Sequence, residues 1–491
     1  MMHLLDAVPA STAFFLLLAV GLALSFEFVN GFHDTANAVA TVIYTHSLRA
    51  NFAVVWSGCW NLIGVLSSSG AVAFSITALL PIDLVLNVGS AAGFAMVFAL
   101  LISAIIWNLG TWYLGLPASS SHTLIGAILG VGLAHSMMSD GKQLGGGVNW
   151  AKAGEVATSM FVSPLVGFGC AALLLMLARL IIKNPDLYRP PQGNQPPPLW
   201  IRGILVLTCT GVSFAHGSND GQKGMGLILL ILVGILPASY AINLAATPDE
   251  VAAIVQMSNQ ADTIFEQHTS NSLPAPEVAS SNLSQFLKPR GVASAGLYDS
   301  MRVINGRLRK TINGYSNFRD LPEKERSDLR SDIYLISESI NKLQKSGSLI
   351  NPALLQYKTG IDHITKFIPF WVKLAVAFAL GLGTMIGWKR IVVTVGEKIG
   401  KEHLTYGQGA AAELVAMITI GAADIYGLPV STTHVLSSGV AGTMAANHSG
   451  LQMDTLRNLA LAWVMTLPVC IFMGAALFAL VLNMVLALGL H

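Results

Sequence analysis

Eleven apolar stretches, each long enough or nearly long enough to cross a bilayer, are the strongest constraint on how this chain can fold. They lie near 11–30, 52–80, 91–114, 122–138, 156–182, 201–217, 224–246, 370–388, 409–427, 430–446 and 458–488. One helical crossing needs about 20 such residues. Backbone in hydrocarbon must satisfy its own hydrogen bonds, so the expected fold class is an all-α polytopic membrane protein. Residues 11–28 have the length of a signal peptide, but no basic segment precedes them and no small-residue cleavage site follows. They read as the first span.

Charge follows the same division. Only 11% of residues are charged, where a soluble domain carries about 25%. Residues 247–368 hold 14 of the 28 Lys+Arg and 13 of the 26 Asp+Glu. The chain therefore reads as membrane repeat 1 over 1–182, a Pro-rich linker over 183–202, the start of repeat 2 over 203–246, a hydrophilic insert over 247–368, and the remainder of repeat 2 over 369–491. Pro274, Pro276 and Pro289 make the start of the insert read as flexible. From about 294 to 366 the spacing of Ile333, Ile336, Ile340 and Leu343 predicts a small helical bundle without a catalytic constellation. A net charge of +2 excludes a nucleic-acid binder driven by bulk charge. Cys59, Cys170, Cys209 and Cys470 sit in apolar stretches at unrelated spacings and read as buried thiols rather than a disulfide framework.

Lys183, Arg189 and Arg202 flank membrane ends and place the linker in the cytoplasm by the positive-inside rule. Two spans, 201–217 and 224–246, then return the chain to that side, so the insert is expected to be cytoplasmic. Lys389, Arg390, Lys398 and Lys401 conflict with simple alternation, which a re-entrant segment would resolve.

Four short polar places interrupt apolar sequence, at 30–37, 116–122, 216–223 and 428–434, and are the expected sites of broken helices. They form two pairs. Gly31-Phe-His-Asp-Thr-Ala-Asn-Ala38 matches Gly217-Ser-Asn-Asp-Gly-Gln-Lys-Gly224, and Leu116-Pro-Ala-Ser-Ser-Ser-His-Thr123 matches Leu428-Pro-Val-Ser-Thr-Thr-His-Val435. Asp34 to Pro117 is 83 residues and Asp220 to Pro429 is 209; the excess of 126 is close to the length of the insert. The membrane body is an internal repeat.

A charge at the bilayer centre costs several kcal/mol, so the ionisable residues at depth are functional candidates. They are Glu27, Asp34, Asp220, Lys223, Glu413 and Asp424, with His33, His122, His216 and His434 beside them. Asp34 and Asn37 share a helix face, as do Asp220 and Lys223. Carboxylate and amide oxygens suit hard cations such as sodium or magnesium, and Lys223 places an ammonium where the first copy has an amide. A helix-packing glycine motif with capping aspartates would not explain why both halves carry it. In the second pair, Pro117 and Pro429 suit the first turn of a helix. Ser119, Ser120, Ser121 and Thr123, with Ser431, Thr432 and Thr433, then offer hydroxyls and free amides that can cradle a tetrahedral oxyanion. Ordinary N-capping is the plainer reading of either copy alone. His122 and His434 suit proton carriers or buried hydrogen-bonding residues equally well. Trp60-Asn61 and Trp107-Asn108 read as packing anchors. No HExxH or comparable metal-ligand spacing appears, and no fixed metal site or cofactor is expected.

These motifs resemble the inorganic phosphate transporter (Pit/PiT) family over nearly all of both membrane halves, and are most similar to the bacterial low-affinity Pit type, whose members carry a hydrophilic insert. The resemblance implies two inverted-topology repeats, a phosphate site at the membrane middle, and cation-coupled symport by a homodimer in the bacterial inner membrane. Sodium-coupled members show a GANDVANA-like motif in both halves; here His33 and Lys223 replace its asparagines. A permanent ammonium weakens a sodium site by repulsion, which favours protons as the coupling ion. The Pit type is also described as moving phosphate as a neutral complex with a divalent metal such as magnesium, which would lie near Asp34 and Asp220. Carried onto this chain, phosphate falls to the two Ser/Thr cradles with Asn219, Gln222 and Lys223. Coupling falls to Asp34, Asn37, Asp220, Glu27, His33, His122 and His434. A sodium-coupled phosphate or a sulfate symporter on the same fold, and remotely an intramembrane metal-dependent hydrolase, are the competing readings.

Overall fold

The computed structural model describes residues 9–80, 84, 90–138, 148–269, 272–288, 291–294, 296–315, 317–348 and 351–487; the side chains of Ser11, Thr35, Ala36, Asn37, Lys152 and Ala238 lie outside this description. Among the described residues the chain is helical, and an isolated bridge between Gly400 and Leu451 is its β pairing. The residues fall into two compact units, one within Met1–Leu80, Phe94–Ile228 and Pro369–His491, the other within Pro81–Gly93 and Leu229–Ile368.

The first unit opens with α1 (Ala10–Tyr44), α2 (Ala50–Ser67), α3 (Ala71–Thr77), α4 (Ala91–Tyr113), α5 (Ser120–Met138) and α6 (Trp150–Ile181). After a 3-10 turn at Pro185–Tyr188 comes α7 (Leu199–Ile235). The short α8 (Pro237–Tyr240) and the insert helices α9 (Pro248–Glu266), α10 (Pro276–Leu287), α11 (Leu297–Asn313), α12 (Glu323–Lys345) and α13 (Pro352–Thr365) follow. The chain then returns as α14 (Phe370–Thr384), α15 (Lys389–Glu397), α16 (Tyr406–Ile425), α17 (Thr432–Ala446) and α18 (Met453–Ala487). Eight of the described helices are long and apolar enough to span a membrane: α1, α2, α4, α5, α6, α7, α16 and α18. α14 and α17, both expected as spans, have 15 residues each. At 1.5 Å per residue they cover only about 22 Å.

Two expectations are corrected here. The polar places at 30–37 and 216–223 do not break their helices: α1 runs unbroken for 35 residues and α7 for 37. Their glycines serve helix contact instead. A Cβ on Gly31 would lie 2.3 Å from the Leu380 carbonyl oxygen of α14, and one on Gly217 would lie 2.1 Å from that of Asn61 on α2. Small residues let backbones approach this closely inside a bilayer, where no water-driven term joins helices. The second correction follows from the first. The spans expected at 201–217 and 224–246 are one helix, so the count that returned the chain to the linker's side fails.

The other two polar places are breaks, and the two are built alike. α4 and α16 end on Gly115 (φ 67°) and Gly427 (φ 63°), where a left-handed backbone favours glycine. Leu116 N–H reaches back to Thr111 C=O at 2.9 Å, and Leu428 N–H to Ala423 C=O at 2.8 Å. Pro117 and Pro429 stand three residues ahead of α5 and α17 rather than in their first turns. A proline there has no N–H to continue the helical hydrogen bonding across the break.

Packing joins the two halves reciprocally. α5 pairs with α18, and α17 with α6. A Cβ on Gly130 would lie 2.0 Å from Ile471 O and one on Gly474 would lie 2.5 Å from Ala127 O. Gly442 meets Phe168 O in the same way, at 2.2 Å. α1 and α7 run in opposite directions. Arg202 Nε, near the start of α7, donates to Ser47 O just after α1 at 2.8 Å, while Gly224 lies against Glu27 further back along α1.

The second unit has its own core, including Phe265, Phe286, Met301, Phe318, Ile336 and Tyr357. Its opening segment is helical rather than flexible, because Pro248 and Pro276 each occupy the first turn of a helix. Pro289 lies outside the described residues. All four cysteines are free, with Cys209 and Cys470 buried but Cys59 and Cys170 exposed, contrary to the expected burial of all four.

Candidate functional site: carboxylates and a lysine between two helix starts

Asp34 sits ten residues before the end of α1 and Asp220 near the middle of α7; the crossing of the two helices brings their carboxylates to one place. Lys223, one turn after Asp220, is fully buried and its Nζ lies 2.6 Å from Asp220 Oδ2. His216, one turn before, points its Nε2 between the carboxylates, 3.4 Å from Asp220 Oδ2 and 3.9 Å from Asp34 Oδ2. Its Nδ1 is held by Asn61 Oδ1 at 2.8 Å, and Asn61 Nδ2 donates to Thr384 Oγ1 at 3.1 Å.

The two helix starts close over this cluster. Ser120, the first residue of α5, places its Oγ 3.2 Å from Asp34 Oδ2, 3.4 Å from Asp220 Oδ2 and 3.3 Å from Lys223 Nζ. A hydroxyl has one hydrogen, so it serves one carboxylate at a time while the lysine donates to it. From α17, Thr433 donates to Asp34 Oδ1. Ser121 crosses in the other sense and donates to Val430 O at 2.8 Å. Ser119 and Ser431 act as matched caps, accepting from the N–H groups of His122 and His434 at 3.2 and 3.1 Å. Thr123 donates to Asn108 Oδ1 at 3.0 Å. Thr432 Oγ1, Asn219 Oδ1 and Asp220 Oδ1 are buried without a hydrogen-bond partner. Asn219 Nδ2 donates to Leu428 O at 3.2 Å.

The remaining candidates are placed around this cluster. His33 bridges Asp34 Oδ1 at 3.5 Å and Thr111 Oγ1 at 3.1 Å. The His122 and His434 rings lie 4.6 Å apart between centroids with their planes tilted by 39°, and His434 also stacks on Trp463 at 4.1 Å. Gln222 turns away, donating to Asp424 Oδ1 at 2.6 Å and accepting from Val72 N–H at 2.9 Å. Glu27 lies two turns before Asp34 with Asn30 Nδ2 at 3.4 Å. The side chain of Asn37 is outside the described residues.

Two asparagines expected as packing anchors, Asn61 and Asn108, hold site residues instead. The sequence signal that marks them is position: each follows a tryptophan inside an otherwise apolar span. His216, a candidate beside the duplicated motif, is the residue that Asn61 holds.

Electrostatically the cluster sets two buried carboxylates against one ammonium and an imidazole: Lys223 pairs with Asp220, and His216 lies between Asp220 and Asp34. Buried net charge costs several kcal/mol unless it is paired. One ligand atom each from Asp34, His216 and Asp220 lie within 4.8 Å of one another, close enough to hold a cation. The α5 and α17 starts add N–H dipoles that favour an anion. The arrangement suits an anion and a cation bound together.

Comparison with known proteins identifies the family. The phosphate transporter family signature matches residues 30–474. The chain is 41% identical to the low-affinity inorganic phosphate transporter PitA of Escherichia coli, over 98% of this chain and 100% of that one. It is 39% identical to PitB of the same organism, over 99% and 100%, and 27% identical to a probable low-affinity inorganic phosphate transporter of Bacillus subtilis, over 96% and 97%. Among solved structures it shares the fold of a sodium-dependent phosphate transporter, with TM-score 0.53 and 19% identity over 95% of this chain and 98% of that one. These relatives are named transporters, not enzymes.

Proposed function

The chain belongs to the phosphate transporter family, and we propose from this premise that it imports inorganic phosphate by proton symport across the bacterial inner membrane. The observation that carries the coupling is the pair of buried carboxylates, Asp34 and Asp220, with Lys223 on Asp220 and the imidazole of His216 between them. A phosphate anion entering beside two carboxylates must arrive with positive charge or find it there. A proton on His216 or on either carboxylate supplies it, and so does a divalent cation carried with phosphate and held by Asp34, His216 and Asp220. Phosphate lies against Lys223, Ser120 and the α5 and α17 starts, where the unpartnered atoms of Thr432 and Asn219 offer a donor and an acceptor. Gln222 and Glu27 act from outside this contact.

The opposed directions of α1 and α7 support an inverted arrangement of the repeats, in which one half rocks against the other around a fixed site. The protein works as a homodimer in this reading. The linker face, rich in Arg49, Lys183, Arg189 and Arg202, is cytoplasmic.

Uptake into proteoliposomes under an imposed pH gradient or an imposed sodium gradient, with and without magnesium, tests the coupling. Uptake is expected to follow the pH gradient. Uptake that follows sodium and ignores pH refutes proton coupling, and competition by excess sulfate refutes the choice of phosphate. In the same assay Asp220→Asn is expected to abolish uptake while the protein remains in the membrane.

A further inference from the structure

Glu413 takes no part in the cluster above. It lies in the middle of α16, is completely buried, and meets α1 and α7 through two hydroxyls. Thr41 of α1 donates to Oε1, and Thr208 Oγ1 of α7 lies 2.5 Å from Oε2. Thr41 is seven residues after Asp34 and Thr208 twelve before Asp220. At 1.5 Å per residue, Glu413 is therefore about 10 to 18 Å from the cluster. Its direction is toward the end where Ser47 meets Arg202.

A buried carboxylate without a counter-charge costs several kcal/mol, so it either takes a cation or carries a proton. Glu413 forms no ion pair among the described residues. Of the ionisable groups on elements packed around it, Cys209 of α7 faces it; Asp34 and Tyr44 of α1, Arg179 of α6 and His434 of α17 make other contacts. The hydrogen-bond partners of Glu413 are the hydroxyls of Thr41 and Thr208, and Thr208 Oγ1 also lies 3.1 Å from Leu205 O, so the one hydrogen of Thr208 is divided between that carbonyl and Glu413. With no cationic side chain paired to Glu413 among the described residues, a proton is the group that neutralises it. Between the two sites, Ser213 and Cys209 continue the α7 face that carries Asp220 and His216. Ser213 Oγ lies 2.9 Å from Ser57 Oγ.

We propose that Glu413 is a proton-binding site separate from the phosphate site, through which the coupling proton passes between the Asp34–Asp220 cluster and the linker face. The proton is held as an O–H bond on the carboxylate and released intact to water at that face; no other bond changes. This rests on the proton-symport reading.

The test compares net phosphate uptake driven by a pH gradient with phosphate–phosphate exchange at equal pH, in proteoliposomes of wild type, Glu413→Gln and Glu413→Asp. Exchange needs substrate binding and the conformational change but no net proton movement. Glu413→Gln is expected to lose gradient-driven uptake at least tenfold while exchange stays within twofold of wild type. Glu413→Asp, which keeps a titratable carboxyl, is expected to recover uptake to within threefold. Gradient-driven uptake unaffected in Glu413→Gln overturns the assignment. So does parallel loss of exchange and uptake, or an equal loss of uptake in both variants. A wild type driven by sodium alone instead refutes proton coupling itself, so the two failures are distinguishable.

Discussion

Ser120 occupies the position where the two halves of the molecule meet at atomic scale. Its hydroxyl touches both duplicated aspartates and the lysine that serves them. A hydrogen bond to a charged group contributes about 1.5–3 kcal/mol. Ser120→Ala is therefore expected to weaken phosphate uptake roughly ten- to hundredfold, with little change in thermal stability, as measured by initial uptake rates and melting of the purified protein. Unchanged uptake would place phosphate elsewhere. The aspartates and the lysine were legible in the sequence because charge at membrane depth is rare and theirs is duplicated. His216 and Asn61 were much less so. A histidine outside the repeated positions and an asparagine beside a tryptophan gain a role only when helix crossing brings them to the carboxylates.

At the scale of elements, the motif glycines matter for contact rather than for opening the helix. Gly217→Val would drive a side chain into the Asn61 backbone at 2.1 Å. Overpacking costs about 1–3 kcal/mol even where neighbours can shift, and backbone shifts least. A clear fall in melting temperature is expected for Gly217→Val and none for Gly21→Ala, which has nothing within 4 Å; equal melting of the two would contradict this packing. The sequence reading split α7 in two because Gly217 to Gly224 is polar and glycine-rich. That composition is equally that of a helix whose polar face is enclosed by other helices.

Across the whole molecule, the insert carries its own electrostatics. Burial alone would raise the Asp362 carboxyl, but Lys366 at 3.0 Å and Lys358 at 2.7 Å hold it below its ordinary value. A carboxyl depressed on folding stabilises above its unfolded pKa, near 3.9, and that contribution is lost as pH falls toward the folded value. Asp332 works in the opposite sense, because burial raises it despite Arg307. Pepsin cleavage of the insert in the full-length protein is expected to accelerate below about pH 4, and Asp362→Asn to flatten that dependence. A variant with the same pH profile as wild type would show that the ion pair does not govern it.

By itself the sequence determined that this is a membrane protein, and it marked two motifs that each occur twice and a charged stretch over 247–368. Apolar length, charge scarcity and motif spacing are one-dimensional signals. It also determined which carboxylates and hydroxyls belong together, because each motif appears twice. Only the tertiary structure decided that α1 and α7 stay continuous, that each half's cradle helix packs on the other half's last helix, and that Glu413 is enclosed by two threonines. Those outcomes depend on which helix fills the space beside each glycine and each buried charge, and contacts between residues hundreds of positions apart leave no period in the chain.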